Sequence, residues 1–371
     1  MKVIFTIDSL QQGGTEQSLA HTIAHFSPTT EVTVVYFKQK EDLLPQFKNL
    51  NCKIISVNLK GKLTWFNGVR KLKNIIQEIK PDIVASCLYQ SNIISRITCK
   101  ITGTKLVGTF VSDSYSKERS INFSKKRKLG AAFFLWIDQL TSKIPMAWIA
   151  NSESIKKSNC SILGVDPNKV TVIYRGRNAS LIQPWKNPQN DQTFRFSFVG
   201  RLLETKGLKE LVEAFEYLSK ENPFIHLDIY GDGPYKKTLS NQIDSSTCKN
   251  KITLHGNVDN AWKKLYDSNC FVFPSWYEGF SGALIEAMML GIPIIASDIT
   301  MNLEAVQADY SSLVYKVRDE NMLLEKMRFC MNHYFQMIEM GNNARVVAIE
   351  KFEIKSIANH FETFLNQKIS E

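Results

Sequence analysis

The chain has 371 residues, 44% hydrophobic and 22% charged, with a net charge of +10. This balance excludes a disordered chain, a collagen-like repeat and a small disulfide scaffold, and the length suits two domains. Seven scattered cysteines with no C-x-x-C pair read as reduced thiols of a cytosolic protein rather than a zinc framework, and no apolar run is long enough for a signal peptide or a bilayer span.

Taken in chain order, short runs rich in Val and Ile predict strands at 3–7, 31–37, 53–57, 82–86, 105–110, 148–150 and 170–173. Helical stretches lie between them, the first over 15–25 after a Gly-rich turn. Strands of four to six apolar residues without clean alternation are those of a parallel sheet covered on both faces. Between 174 and 193 the chain turns to Pro, Asn and Gln and reads as a linker. The alternation then restarts. Strands are predicted at 195–199, 224–230, 251–254, 270–273, 292–296 and 311–315, a helix at 207–219, and an almost wholly helical tail over 321–367.

Two successive β/α arrays predict two doubly wound, Rossmann-like α/β domains. The expected division is 1–175, a linker at 176–193, a second domain at 194–350 and a final helix at 351–371. Ligands of such sheets bind beyond the carboxyl ends of the strands, so a cleft between the domains is the expected site. Charge is uneven: residues 1–190 hold 27 basic and 12 acidic residues, residues 191–371 hold 19 and 24. The basic first half calls for an anionic partner, whether nucleic acid, membrane or phosphorylated substrate.

The most informative stretch runs from Phe273 to Met288. Ser281 is placed to cap a helix over 282–290, with Gly291 ending it and Pro293 beyond. Glu278 then sits in the loop before the helix and Glu286 just over one turn inside it. The N–H groups of residues 281–284 form an anion site favoured by the helix dipole. Carboxylates for hydroxyl groups beside amides for a diphosphate suit a nucleotide sugar.

This stretch resembles the E-x7-E region of glycosyltransferase family 4, retaining enzymes of the GT-B fold. The resemblance implies that Glu278 contacts the donor sugar and that Glu286 holds the ribose hydroxyls. Phe280, Ser281 and Gly282 would lend backbone amides. Gly200-Arg201 followed by Lys206-Gly207 is similar to the pattern whose Arg and Lys neutralise the donor diphosphate. Fixed cations there stabilise the charge that a leaving diphosphate gains, without metal. The resemblance continues at Gly13-Gly14-Thr15-Glu16, where glycines let backbone approach a ligand closely. It extends to Gly231-Asp232-Gly233-Pro234, to Asn257 and Val258 in the loop expected beneath the base, and to a final helix that returns to the N-terminal domain. One departure stands out: where many members carry a His, this chain has Val111-Ser112-Asp113-Ser114.

No Asp-x-Asp motif occurs, and neither a metal nor another cofactor is expected. The basic run Lys117-Glu118-Arg119 and Lys125-Lys126-Arg127-Lys128 precedes Phe133, Phe134 and Trp136, a sequence that suits a headgroup-and-acyl boundary, although Phe133 and Trp136 also suit a core. The function implied is sugar transfer from a UDP- or GDP-sugar to a glycan acceptor, lipid-linked, in cell-surface polysaccharide synthesis. The location implied is the inner face of the cytoplasmic membrane, with no nucleic-acid partner. A nucleotide-sugar epimerase or hydrolase of the same fold is the alternative, and a basic nucleic-acid-binding protein the non-enzymatic one.

Overall fold

A computed structural model describes residues 1–60, 64–113, 115, 124–188 and 193–371. The segment Lys117-Glu118-Arg119, and Ser114, lie outside the described residues. The chain divides into two compact units, the first Met1–Arg177 with Phe352–Glu371, the second Asn178–Lys351.

Among the described residues the first unit carries seven strands: β1 (Lys2–Ile7), β2 (Glu31–Tyr36), β3 (Cys52–Ser56), β4 (Ile83–Cys87), β5 (Leu106–Phe110), β6 (Ala147–Ala150) and β7 (Val170–Val172). They form one parallel sheet in the order β3-β2-β1-β4-β5-β6-β7. Its helices are α1 (Gly14–Ile23), α2 (Leu44–Lys48), α3 (Thr64–Ile79), α4 (Tyr89–Thr102), α5 (Lys125–Thr141) and α6 (Glu153–Leu163).

Adjacent residues of β1 serve opposite cores. Val3, Phe5 and Ile7 join Leu19 and Ile23 of α1 on one face. Ile4 joins Leu72 and Ile76 of α3 and Ile94 of α4 on the other. With both faces covered, every residue from Val3 to Ile7 is buried, which is why the strand sequence shows no alternation.

The second unit begins with a stretch that the sequence presents as polar linker. Ile182 and Trp185 are nevertheless buried in it, and the indole Nε1 of Trp185 donates to the Ser268 carbonyl at 2.9 Å. Among the described residues six strands follow: β8 (Phe194–Val199), β9 (Ile225–Tyr230), β10 (Ile252–Gly256), β11 (Cys270–Phe273), β12 (Ile294–Ser297) and β13 (Leu313–Tyr315). They form a parallel sheet in the order β10-β9-β8-β11-β12-β13.

Helices α7 (Leu208–Glu221), α8 (Lys236–Asp244), α9 (Gly282–Leu290), α10 (Thr300–Ala305), α11 (Glu320–Asn332) and α12 (Tyr334–Phe352) accompany them. In α7, Leu208, Leu211, Val212, Phe215 and Leu218 are buried, a spacing that lines one face of a helix.

The last helix, α13 (Ile354–Ser370), belongs to the first unit. Phe361 meets Phe5 and Phe26 with ring centroids 5.9 and 6.1 Å apart. Phe364 and Leu365 enter the core on the α1 face of the sheet. The backbone joins them too: Arg177 N–H donates to the Phe352 carbonyl and Ile354 N–H to the Arg177 carbonyl, both at 2.9 Å.

Candidate active site

In the second sheet the chain leaves β8 toward β9 on one side, and leaves β11 toward β12 on the other. The neighbouring pair β8 and β11 is therefore the point where the strand order reverses. Loops diverge there beyond the carboxyl ends of the two strands, opening the crevice where doubly wound sheets bind ligands. The loop after β8 carries Arg201 and Lys206, and the loop after β11 carries Glu278 and leads into α9.

The two loops are bonded together. Trp276 N–H donates to the Thr205 carbonyl at 2.8 Å, and the Lys206 ammonium forms an ion pair with Glu278 Oε1. The Ser275 hydroxyl donates to the same oxygen at 2.9 Å. Both members of the pair are mostly removed from water, their side chains 13% and 11% exposed. A carboxylate held by a fully buried hydroxyl and a lysine has its direction set by the fold, because Ser275 is itself pinned: Ser297 Oγ donates to its carbonyl at 2.5 Å.

The helix α9 forms as its sequence dictates. Ser281 is in extended conformation and its hydroxyl accepts the N–H of Leu284, while Gly291 closes the helix at φ +81°. This cap takes one of the four expected amides, so an anion at this tip would meet the N–H groups of Ser281, Gly282 and Ala283. The Phe280 ring is buried, which leaves its backbone as the part able to meet a ligand. Glu286 lies half-buried in the second turn. Arg201 is exposed in the first part of its loop.

Gly231 sits at φ +143°, and a Cβ there would collide with the Gly200 carbonyl. Its N–H donates to the Gly256 carbonyl at 2.7 Å. The G-x-G-P turn thus packs backbone to backbone against the strand end that leads to Arg201, a structural reason for glycine apart from any ligand. Asn257 and Val258 follow β10, exposed and half-buried respectively.

The corresponding reversal in the first sheet lies between β1 and β4. There the helix tip is already filled. Asp8 Oδ1 accepts the N–H of Ser91 at 2.7 Å and Oδ2 that of Gln90 at 3.4 Å, placing a carboxylate on the first turn of α4. Burial pushes the Asp8 carboxyl above its ordinary value, against those amides. An anion at this tip would displace the chain's own side chain. The second unit therefore offers the freer anion site at a helix start.

Gly13 and Gly14 begin α1, and each leaves room for a neighbouring charge. A Cβ on Gly13 would strike the Glu16 carboxylate, and one on Gly14 would lie 2.9 Å from the Arg175 guanidinium. Glu16 is buried, and burial raises its carboxyl, with Asp8 adding to the rise and Arg175 opposing it. Of the two residues standing where a His was expected, Asp113 accepts from Ser158 of α6 at 2.7 Å, while Ser112 lines a cavity. Sequence reasoning passed over Ser275, Asp8 as a helix cap, and Arg175 behind Gly14. Only Asp8 left a signal, an acid at the carboxyl end of the first strand.

Two parallel-sheet α/β units in succession are the architecture of the GT-B fold. Residues 12–181 match the family model described as Glycosyltransferase Family 4, and residues 181–347 that of Glycosyl transferases group 1. The chain belongs to these glycosyltransferases.

It is 29% identical over 261 residues to an uncharacterized glycosyltransferase of Methanocaldococcus jannaschii, covering 66% of this chain and 64% of that one. To the capsular polysaccharide biosynthesis glycosyltransferase CapM of Staphylococcus aureus it is 25% identical, covering 92% and 91%. It also resembles the solved structure of Anabaena Alr3699/HepE in complex with UDP and glucose. The TM-score is 0.82 at 19% identity, over 99% of each chain.

Proposed function

We propose that the protein is a retaining, metal-independent glycosyltransferase that moves a sugar from a nucleoside diphosphate sugar to a lipid-linked glycan acceptor in cell-surface polysaccharide synthesis. The observation that carries this reading is the Lys206–Glu278 pair beside the tip of α9, at the reversal point of the second sheet. The diphosphate would lie against the first-turn amides, with Arg201 and Lys206 as its cations. Glu278 would offer its second oxygen to the hydroxyls of the transferred sugar, and Glu286 would meet the ribose. Gly231, and Asn257 with Val258 near the base, complete the proposed donor contacts of the second unit, and Gly13 and Gly14 keep in the first unit the close-approach role that the resemblance implies.

In the reaction the bond from the anomeric carbon to the phosphate oxygen breaks, and the diphosphate takes the electron pair. Lys206 and Arg201 stabilise the charge that develops on it. The acceptor hydroxyl adds to the anomeric carbon from the same face, and its proton passes to the departing phosphate oxygen. No step calls for a divalent ion.

The names of two relatives support this reading, the first for the acceptor and the second for polysaccharide synthesis. One is the Escherichia coli UDP-Gal:alpha-D-GlcNAc-diphosphoundecaprenol alpha-1,3-galactosyltransferase, 27% identical over 260 residues. The other is CapM. The membrane side of the reading rests on α5. Among the described residues no helix is long and apolar enough to cross a membrane. Yet Leu129, Phe133, Trp136 and Leu140, four residues on one face of α5, are 75, 56, 55 and 60% exposed. The alternative of a core position for Phe133 and Trp136 is thereby set aside. Lys126, Arg127 and Lys128 stand in the first turns of the same helix, as a surface that settles on anionic lipid requires. In our reading the enzyme works at the inner face of the cytoplasmic membrane, and the exposed apolar face of α5 supports this.

The test is a panel of UDP-, GDP- and dTDP-sugars incubated with the enzyme and EDTA, with and without a membrane lipid extract. Acceptor-dependent release of nucleoside diphosphate, with the anomeric configuration retained in the product, is expected. Release at full rate without extract would favour a hydrolase or epimerase, and activity lost in EDTA would overturn metal independence.

A further inference from the structure

The first unit contains a cavity of about 300 Å³ beyond the carboxyl ends of β1, β4 and β5. That volume is the low end of the range for small-ligand sites, about 300–1,000 Å³, and suits a single ring rather than an extended polymer. Its walls mix aromatic faces, from Tyr89, Phe110 and Tyr115, with polar groups such as Asn92, Ser112 and Asn159. Aromatic planes beside hydrogen-bonding groups suit a sugar ring, which has apolar faces and a polar edge.

The charges around the cavity are unequal in their compensation. Arg96 is buried and donates to Asp138 Oδ1 at 2.5 Å, and the Tyr115 hydroxyl donates to the other oxygen at 2.7 Å. Arg96 and Asp138 therefore cancel. The Asp8 carboxylate is spent on the first turn of α4. Lys38 and Lys40, which also line the cavity, are exposed; among the described residues neither makes a salt bridge, and Lys38 is balanced only by the longer-range attraction of Asp8. The Lys40 ammonium has Gln11 Oε1 at 3.5 Å.

One wall is strained as well. Leu88 lines the cavity at φ +75° and ψ 168°, a region otherwise almost confined to glycine. Such a conformation is costly and persists where the surroundings dictate it, typically at ligand clamps.

We propose that this cavity is a subsite for an acidic sugar of the acceptor, the ring lying against Tyr89, Tyr115 and Phe110 and its phosphate or carboxylate meeting Lys38 and Lys40. This rests on the reading of the chain as a transferase and adds to it an acceptor specificity, charge on or next to the sugar, set by two lysines outside the donor machinery.

The full-length protein, first saturated with UDP to occupy the donor site, is titrated by calorimetry with glucose 1-phosphate, glucuronate, methyl α-glucoside and inorganic phosphate. Binding of one or both acidic sugars is expected, with the neutral glycoside and inorganic phosphate each weaker by roughly tenfold or more. Response to the phosphate ester alone assigns the anion to a phosphate linkage; response to both assigns it to acidic sugars at large.

The variants Lys38→Ala and Lys40→Ala, at exposed positions, should each weaken acidic-sugar binding about tenfold and leave UDP affinity unchanged. Equal binding of the neutral glycoside, equal binding of inorganic phosphate, no binding of either acidic sugar, or indifference to both lysine substitutions would overturn the subsite. Failure of UDP to bind would instead count against the donor reading.

Discussion

Replacing Lys206 separates what the lysine does for the fold from what it does for the reaction. Lys206 pairs with Glu278, and both side chains are nearly buried. Removing one member of a buried pair typically costs about 3–5 kcal/mol, because the other charge is stranded. Here the Ser275 hydroxyl stays on Glu278, so Lys206→Ala should fall toward the lower end of that range. In the proposed reaction the same substitution would remove a cation from the departing diphosphate. Losing one preorganised charge-stabilising group costs about 10²–10³ in kcat.

The double variant Lys206→Met/Glu278→Gln distinguishes the two effects. Two neutral side chains of similar volume should restore most of the stability, since apolar replacement of a buried pair is often neutral. They should restore none of the rate. Stability is read by urea unfolding followed through tryptophan fluorescence, to which Trp276 in the neighbouring loop contributes. Rate is read by nucleoside diphosphate release at saturating donor. A Lys206→Ala enzyme with wild-type kcat, or a double variant that regains its rate, would refute the electrostatic role.

Other perturbations follow from the same geometry. Gly231→Ala places a Cβ against the Gly200 carbonyl at a backbone angle of +143°, and should lower the unfolding temperature of the second unit well beyond a surface Gly→Ala control. Asp138→Ala strands the Arg96 guanidinium and should cost about 3–5 kcal/mol in urea unfolding, with Asp138→Asn costing less.

Glu16 has a folded carboxyl raised by burial, so it favours the folded state most when protonated. Its contribution is fully present below the unfolded value of 4.5 and is lost as pH rises through the higher folded value. Glu16→Gln should therefore gain stability relative to wild type at pH 7.5 compared with pH 4, a difference measurable by urea titration at both. Phe133→Ser/Trp136→Ser should reduce co-sedimentation with phosphatidylglycerol vesicles severalfold while leaving soluble-acceptor turnover intact.

Much of the architecture was legible because it is local. The helix over 282–290 declares itself through Ser281 at its start, Gly291 at its end and Pro293 beyond, and the structure places it at those residues. The parallel strands declare themselves through short Val- and Ile-rich runs, since burial on both faces removes alternation. Other features were hidden because their cause lies far along the chain. Phe133 and Trp136 read equally well as core or surface, and only the packing of α5 exposes them. The segment around Trp185 reads as linker, yet its indole finds a carbonyl 83 residues away.

The candidate site divides in the same way. Residue type and spacing alone determined that Arg201, Lys206, Glu278 and Glu286 flank two strand ends and a helix start, because loop, cap and periodicity are written over a few neighbouring positions. Tertiary structure alone decided that Lys206 meets Glu278 across 72 residues, that Gly231 yields its space to the Gly200 carbonyl, and that Asp8 occupies the tip of α4. The physical reason is the crossover of parallel strands. It brings together chain ends whose separation in sequence carries no periodic mark, and charge and volume can be matched only once those ends are side by side.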